Sequence, residues 1–149
     1  MLKGIDPLLD ADILHALRSM GHGDVLIVAD ANFPAATIAR ETVLGRVLRM
    51  DVSTPRAVKA VLSVLPLDTF DDDPVRAMQV VGAPEEVPEV RAEVAELLDG
   101  HGGLGLPIGL VERRAFYELA KASFAVIQTV ERRFYGCIAL TKGVVEPDA

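Results

Sequence analysis

The chain has 149 residues, 50% of them hydrophobic, which predicts one globular domain over residues 1–149 with a substantial core. Its formal net charge of −7 argues against electrostatic binding to nucleic acid or anionic lipid and favours a small neutral partner. No run approaches the ~20 apolar residues that a membrane span needs, and the N-terminus shows no signal-peptide pattern, so we expect a cytoplasmic protein.

The first elements in the chain alternate between a helical and a strand pattern. Asp10 is placed to cap a helix whose apolar stripe ends before Gly21. Residues 25–29 form a short apolar run with β-branched members, which predicts a buried strand with Asp30 at its C-terminal end. Residues 35–40 then fit either a loop or a short helix.

The same alternation continues through the rest of the chain. In order, we expect a strand within 43–50, a helix from Thr54 to Pro66, an acidic loop at 67–74, a strand at 75–81, a helix ending at Gly100, a helix at 113–123 and strands at 125–130 and 135–140. The glycine-rich residues 100–105 fit a lid or a simple connector. The whole pattern predicts a single-domain α/β fold, with a mostly parallel sheet covered by helices.

His22 is a candidate catalytic residue in the turn Gly21-His22-Gly23-Asp24, between the first helix and the first strand. An imidazole titrates near neutrality and can therefore both give and take a proton. The flanking glycines leave the side chain approachable. Taken alone, a surface histidine in a turn is the simpler interpretation of this pattern.

Several polar side chains are candidates for ligand binding. Asp30 ends a buried strand, where open α/β sheets place their ligands, although a turn residue would serve the same position. Arg113 and Arg114 begin a predicted helix, where the helix dipole disfavours cations, so either a ligand or an intersubunit ion pair would explain them. Tyr117 and Tyr135, the two tyrosines of the chain, either offer rings and hydroxyls to a sugar or pack in the core.

Cys137 is the single cysteine of the chain, so it cannot form an intramolecular disulfide, and this favours a reducing compartment. It has no evident base partner, which argues against a nucleophilic role. No cluster has the spacing of a zinc site, and no glycine pattern matches a phosphate-binding loop. The sequence therefore predicts neither a metal nor a cofactor.

Several motifs follow one another along almost the whole chain. They are Met1-Leu-Lys-Gly-Ile-Asp-Pro-Leu, Met20-Gly-His-Gly-Asp24, Ala29-Asp-Ala-Asn-Phe-Pro34, Arg113 to Tyr117, Tyr135-Gly136 and Thr141-Lys-Gly-Val144. Their combination resembles the ribose pyranase and fucose mutarotase family. The fucose branch is the more similar, since the ribose branch typically reads Gly-His-Thr-Asp and Ala-Asp-Ala-Gly-Leu-Pro at the second and third motifs.

The resemblance implies an isomerase that interconverts the α and β anomers of a free reducing monosaccharide, L-fucose first, without cofactor or metal. It implies His22 as the acid/base group, Asp30 and Arg113 as sugar-binding residues, and Tyr135 at the site. It also implies a ring-shaped homo-oligomer, a decamer, with sites at subunit boundaries. An aliphatic surplus in so short a chain fits that assembly.

Two positions depart from the family pattern. Arg114 stands where an aromatic residue is common, and Cys137 is the third residue of a motif that usually reads Tyr-Gly-Asn, with the amide contacting the sugar. A thiol is a weak hydrogen-bond partner, so the sugar preference stays open. Two alternatives accordingly remain beside the L-fucose enzyme. One is a pyranase that interconverts pyranose and furanose D-ribose, and the other is a sugar-binding regulatory protein without turnover.

Overall fold

The computed structural model describes residues 1–100 and 107–148. Its elements in chain order are α1 (Ala11–Ser19), β1 (Val25–Ala29), α2 (Ala35–Ala39), β2 (Val47–Met50), α3 (Thr54–Leu62), β3 (Val75–Met78), α4 (Glu89–Gly100), β4 (Gly109–Val111), α5 (Arg113–Lys121), β5 (Ala125–Thr129) and β6 (Ile138–Thr141). The strands form one six-stranded sheet in the order β2-β5-β1-β6-β3-β4. β6 runs antiparallel to both of its neighbours, β1 and β3, while the other pairings are parallel. The single-domain, mostly parallel α/β prediction is confirmed.

The helices pack on both faces of the sheet because the side chains of each strand alternate between the faces. On one face, Leu26 and Val28 of β1 join a core cluster with α1, α3 and α4. On the other face, Ile27 and Ala29 join a second cluster with α2 and α5. β1 is thus buried from both sides, as its continuous apolar run predicts.

Most predicted elements appear near their expected positions. The Asp10 carboxylate accepts a hydrogen bond of 2.8 Å from the Ile13 N–H and so caps α1, as predicted. Residues 35–39 form the short helix α2, which settles that ambiguity. β4 was not predicted, because its three residues are too few and too exposed to show a strand pattern.

The strand expected at 135–140 begins only at Ile138, so Tyr135 and Cys137 precede it. Tyr135 has a φ of 59°, a left-handed backbone conformation that cannot continue a strand. We expected a lid or a connector at residues 100–105. Of these, only Gly100 lies in the described part of the chain. No helix in the described part has both the length and the apolar composition to cross a bilayer.

Candidate active site

A pocket of about 290 Å³ lies at the edge of the sheet where β1 ends. Five of its lining residues are predicted site residues, and four others complete the wall: Asp30, Arg113, Tyr117, Tyr135, Cys137, Asn32, Phe33, Met78 and Phe134. The topology explains their meeting, because parallel β1, β3 and β4 all end at this edge. Antiparallel β6 begins there, as the pairing of Val28 with Ile138 shows.

Asp30 holds together the two loops that form the pocket. Its Oδ1 accepts hydrogen bonds of 3.0 Å from the backbone N–H groups of Asn32 and Phe33. Its Oδ2 accepts a third, also of 3.0 Å, from the N–H of Gly136. The residue is buried, with 5% of its surface exposed, so these bonds are protected from water. Asp30 is therefore both a pocket residue and the connection between the two loops.

Tyr135 stands in the second of these loops with its hydroxyl turned toward β3. The hydroxyl oxygen accepts a hydrogen bond of 3.1 Å from the N–H of Val81, which leaves the hydroxyl hydrogen free to donate. A side chain at the next position, Gly136, would place its Cβ 2.9 Å from Glu131 Cγ and 3.2 Å from Asp30 Cβ. The loop can therefore pass this closely over Asp30 only because residue 136 is glycine.

Arg113 and Tyr117 lie one turn apart at the start of α5 and contact each other. The Arg113 guanidinium carbon is 5.5 Å from the centre of the Tyr117 ring, a cation–π distance. The Tyr117 ring in turn packs edge to face on Phe33, 5.4 Å away. Within the part of the chain that the structure describes, no carboxylate pairs with Arg113, so its charged group remains available to a ligand.

The start of α5 is capped by Glu112, which explains how two arginines are tolerated there. Its Oε2 accepts hydrogen bonds of 2.9 and 3.1 Å from the N–H groups of Arg114 and Ala115. These bonds lower the pKa of Glu112 from its usual value. The capping carboxylate thus offsets the unfavourable position of Arg113 and Arg114 in the helix dipole.

Cys137 lines the pocket and is almost fully buried, with 1% of its surface exposed. Burial, together with the negative charge of nearby Asp30, raises the pKa of its thiol well above the usual value. The thiol therefore stays protonated at neutral pH. This agrees with the expectation that Cys137 is not a nucleophile.

The sequence analysis did not identify an ion-pair cluster that supports the second loop. The Arg133 guanidinium donates to both carboxylate oxygens of Glu131, each at 2.9 Å, and to both oxygens of Glu93 on α4, at 2.6 and 3.2 Å. The bonds from Arg133 to Glu131 lower the pKa of this buried carboxyl to about 2. Glu131 follows the end of β5, much as Asp30 follows the end of the adjacent β1. An acidic residue just after a buried strand was therefore the sequence signal that could have identified Glu131.

His22 lies at the opposite edge of the sheet from the pocket. The five residues of β1 separate it from Asp30, and an extended strand of that length spans about 13 Å. Asp30 therefore cannot orient the imidazole of the same subunit. The His22 Nε2 instead lies 3.1 Å from Oδ1 of Asp68, a residue that the sequence analysis did not single out. The ring centre of Phe70 is 5.8 Å from that of His22.

The turn that carries His22 is held by Lys142, which follows β6. The Lys142 ammonium donates to the carbonyl oxygens of Leu17 and Met20, at 2.8 and 2.5 Å, at the C-terminal end of α1. The Lys142 carbonyl accepts from the Gly23 N–H, and its N–H donates to the Asp24 carbonyl, both at 2.9 Å. The Thr141-Lys-Gly motif therefore fixes the backbone on both sides of His22.

The fold and the pocket define a small α/β protein with a polar and aromatic ligand pocket at the C-terminal edge of its sheet. The model of the RbsD / FucU transport protein family matches residues 3–145, and the chain belongs to that family.

Individual relatives match over almost their whole length. The fucose mutarotase of Danio rerio is 40% identical over 99% of this chain and 97% of its own. The solved structure of FucU from Bifidobacterium longum is 38% identical, with a TM-score of 0.89 over 97% of this chain and 100% of that one. The fucose mutarotase of Streptococcus pneumoniae in complex with L-fucose is 34% identical, with a TM-score of 0.87 over 97% and 100%.

Proposed function

We propose that this protein is a sugar mutarotase, an isomerase that interconverts the α and β anomers of free L-fucose. The observation that carries the proposal is the convergence of Asp30, Arg113, Tyr117 and Tyr135 in one pocket of a chain whose relatives are fucose mutarotases. We further propose a single domain over residues 1–149 and a cytoplasmic location. Neither a metal nor a cofactor enters the proposed reaction.

The pocket suits one monosaccharide. Its volume of about 290 Å³ lies at the small end of the ~300–1,000 Å³ range of ligand pockets. Arg113 and Tyr135 offer hydrogen-bond donors to sugar hydroxyls, and Asp30 keeps further acceptor capacity on Oδ2, which accepts one backbone hydrogen bond. Phe33, Met78 and Phe134 supply an apolar wall against which a methyl group or a ring face can pack.

The reaction needs two proton movements and no covalent intermediate. A base takes the proton from the hydroxyl on C1, the electron pair of the broken O–H bond forms the C=O double bond of the aldehyde, and the bond from C1 to the ring oxygen breaks with its electron pair on the ring oxygen. The ring oxygen receives a proton from a hydroxyl or water. Rotation about the C1–C2 bond and reclosure then give the other anomer. We assign the base to His22, and the Tyr135 hydroxyl hydrogen is free to serve the ring oxygen.

Because His22 and the pocket lie at opposite edges of one subunit, we propose that a neighbouring subunit brings its His22 to each pocket. Both edges expose an aromatic side chain that a partner would cover, since Phe70 beside His22 and Phe134 at the pocket are each 75% exposed. Contact between two different surfaces of identical subunits produces a ring when the rotation closes. A homodecameric ring is the assembly we propose.

Exchange NMR on equilibrated sugars tests the activity without a coupled assay. We expect the protein to produce α/β exchange cross-peaks with L-fucose on a timescale at which the free sugar shows none. Pyranose/furanose exchange with D-ribose alone would instead identify a pyranase. Binding of either sugar without exchange would identify a sugar-binding protein without turnover and would contradict the proposal.

A further inference from the structure

We infer that the ion pair between Arg133 and Glu93 positions a group of the reaction, because it ties the loop that carries Tyr135 to helix α4 and so places the Tyr135 hydroxyl. The inference rests on the proposed function and deepens it. It extends the reaction machinery from the residues that line the pocket to a helix that does not line it. Arg133 and Glu93 are positioning residues that act through Tyr135.

The Arg133 side chain bridges two carboxylates from different parts of the fold. Its Nε and Nη2 donate to the two oxygens of Glu131, which lies in the same loop. Its Nη1 and Nη2 donate to the two oxygens of Glu93 on α4, at 2.6 and 3.2 Å. A planar guanidinium with donors on each nitrogen suits this paired geometry. The bonds from Arg133 keep the pKa of Glu93 below its usual value, so this carboxylate is ionised at neutral pH.

Helix α4 is a firm anchor for the ion pair. Its Val94 and Leu98 belong to the core cluster on one face of the sheet, and Val90 is also fully buried. The backbone at Glu93 is therefore fixed by the core. Charge-assisted hydrogen bonds carry that position to the loop between β5 and β6, residues 130–137.

Tyr135 lies between two anchors of this loop. Two residues before it, Arg133 is bound to α4, and directly after it the Gly136 N–H donates to Asp30 at 3.0 Å. The φ of Tyr135 is 59°, a conformation that a residue with a side chain rarely adopts and that persists only where its surroundings hold it. Without the first anchor, we expect Tyr135 to leave this conformation while Asp30 keeps its own bonds.

The hydroxyl of Tyr135 has only a weak contact of its own. Its bond from the Val81 N–H is 3.1 Å long and exposed, so water competes for both groups. The bonds from Arg133 to Glu93 are charge-assisted, which makes them roughly twice as strong as bonds between neutral groups. They also belong to a network with buried Glu131, the arrangement in which a partly exposed ion pair does stabilise a structure. The ion pair therefore decides where the hydroxyl stands.

A displaced hydroxyl should affect the chemical step more than sugar binding. In the proposed reaction the Tyr135 hydroxyl gives its proton to the ring oxygen and takes it back on reclosure, which requires hydrogen-bond distance in both directions. A misplacement of about 1 Å can cost a reaction on the order of a hundredfold in rate. Asp30 and Arg113 make no bond to Arg133 or Glu93, so the sugar keeps these two contacts when the ion pair is removed.

Carbon-13 NMR of ring-labelled tyrosine tests the position of Tyr135 in the absence of sugar. The chain has two tyrosines, so Tyr117→Phe identifies the Tyr135 signals. We expect these signals to shift and broaden in Glu93→Ala. The control is Glu89→Gln on the same helix, which should leave them unchanged, because its side chain is 78% exposed and 3.6 Å from Arg133. Unchanged Tyr135 signals in Glu93→Ala overturn the inference.

A double-mutant cycle on the rate of anomer exchange tests whether the ion pair acts through Tyr135. We expect turnover to fall about tenfold in Glu93→Ala, with the L-fucose dissociation constant changed by less than about threefold. Tyr135→Phe removes the hydroxyl and should slow turnover by roughly a hundredfold or more. The double variant should be slower than Tyr135→Phe by less than about twofold, since a hydroxyl that has been removed cannot be misplaced.

A conservative variant keeps the test informative where Glu93→Ala fails to fold. Glu93→Gln keeps the size of the side chain and one acceptor oxygen, and it should lose about threefold in turnover. The same cycle with Tyr135→Phe applies to it.

Three results overturn the inference and leave the proposed function standing. They are a wild-type turnover rate in Glu93→Ala or in Tyr135→Phe, a loss that lies wholly in the dissociation constant, and single losses that multiply in the double variant. A wild-type protein that exchanges the anomers of no sugar overturns the proposed function, and with it the role of the ion pair in the reaction.

Discussion

The two ends of β1 are built in different ways. At the C-terminal end, buried Asp30 and Glu131 accept hydrogen bonds from several backbone groups and fix two loops around a pocket. At the N-terminal end, His22 stands in an exposed turn that is fixed through its backbone by Lys142, and its ring contacts Asp68 and Phe70. The first end can hold a ligand, and the second can move a proton. The imidazole that we propose as the base is absent from the pocket end, so the proposed reaction requires that two subunits meet.

The comparison predicts that His22 can be removed without harm to the fold. In His22→Ala we expect anomer exchange to slow by roughly 10²–10⁴-fold, the range that one acid/base group supplies. The thermal unfolding temperature should stay near the wild-type value, because the side chain is half exposed and packs in neither core cluster. Exchange NMR and a melting curve measure the two effects. The control is His15→Ala, an exposed histidine on α1.

Removing a charge at the pocket end should lower the free energy of unfolding. The pKa of Glu131 is about 2 in the folded protein, against an ordinary value of 4.5. The stabilisation is therefore fully present above pH 4.5 and is lost as the pH falls toward 2. It amounts to about 3 kcal/mol at neutral pH, and Glu131→Gln should lower the free energy of unfolding by that amount.

Urea titrations at neutral and acid pH measure this difference, and a second glutamate serves as the control. Glu89 lies 3.6 Å from the same Arg133, but its side chain is 78% exposed. Glu89→Gln should change the free energy of unfolding by less than about 0.5 kcal/mol, because water screens the pair. Equal losses of unfolding free energy in the two variants would show that burial does not strengthen the pairing of Glu131 with Arg133.

The histidine end should be sensitive to its backbone contacts. A Cβ at Gly143 would overlap the carbonyl of Leu67 and come within 2.8 Å of Asp68 Cα, so the chain before β3 would have to move. Gly143→Ala should therefore cost about 2 kcal/mol of stability and slow exchange by displacing Asp68 from His22. Gly100→Ala is the control, since a Cβ there meets no atom of the described residues within 4 Å. Wild-type exchange in Gly143→Ala would show that the reaction does not depend on the backbone contacts beside His22.

The smallest effect is expected at Cys137, where the thiol is buried and its pKa is raised. Native protein incubated with iodoacetamide at neutral pH should remain unmodified and fully active, because thiolate is both scarce and inaccessible. Mass spectrometry reads the outcome directly, since the chain has one cysteine. The same reagent should modify the unfolded chain in urea. Rapid alkylation of the native protein would mean that the pocket wall opens at Cys137.

The parts of the molecule that the sequence predicts are those set by local pattern. The apolar run of β1 and the Asp10 cap of α1 both follow from neighbouring residues, and so does the place of Asp30 at a strand end. The bond of His22 to Asp68 depends on how distant segments pack, as does that of Arg133 to Glu93, and neither partner has a local signature. The resemblance to known mutarotases suggested the site residues but not the opposite locations of His22 and Asp30 in one subunit.

Complementation between two inactive variants tests the shared site most directly. His22→Ala lacks the proton carrier and Arg113→Ala lacks a pocket residue, so each alone should be nearly inactive. If each site combines the histidine of one subunit with the pocket of its neighbour, random assembly of equal amounts leaves about a quarter of the sites intact. Coexpressed or co-refolded variants should then regain roughly that share of wild-type exchange. Mixed oligomers with no regained activity would contradict the account.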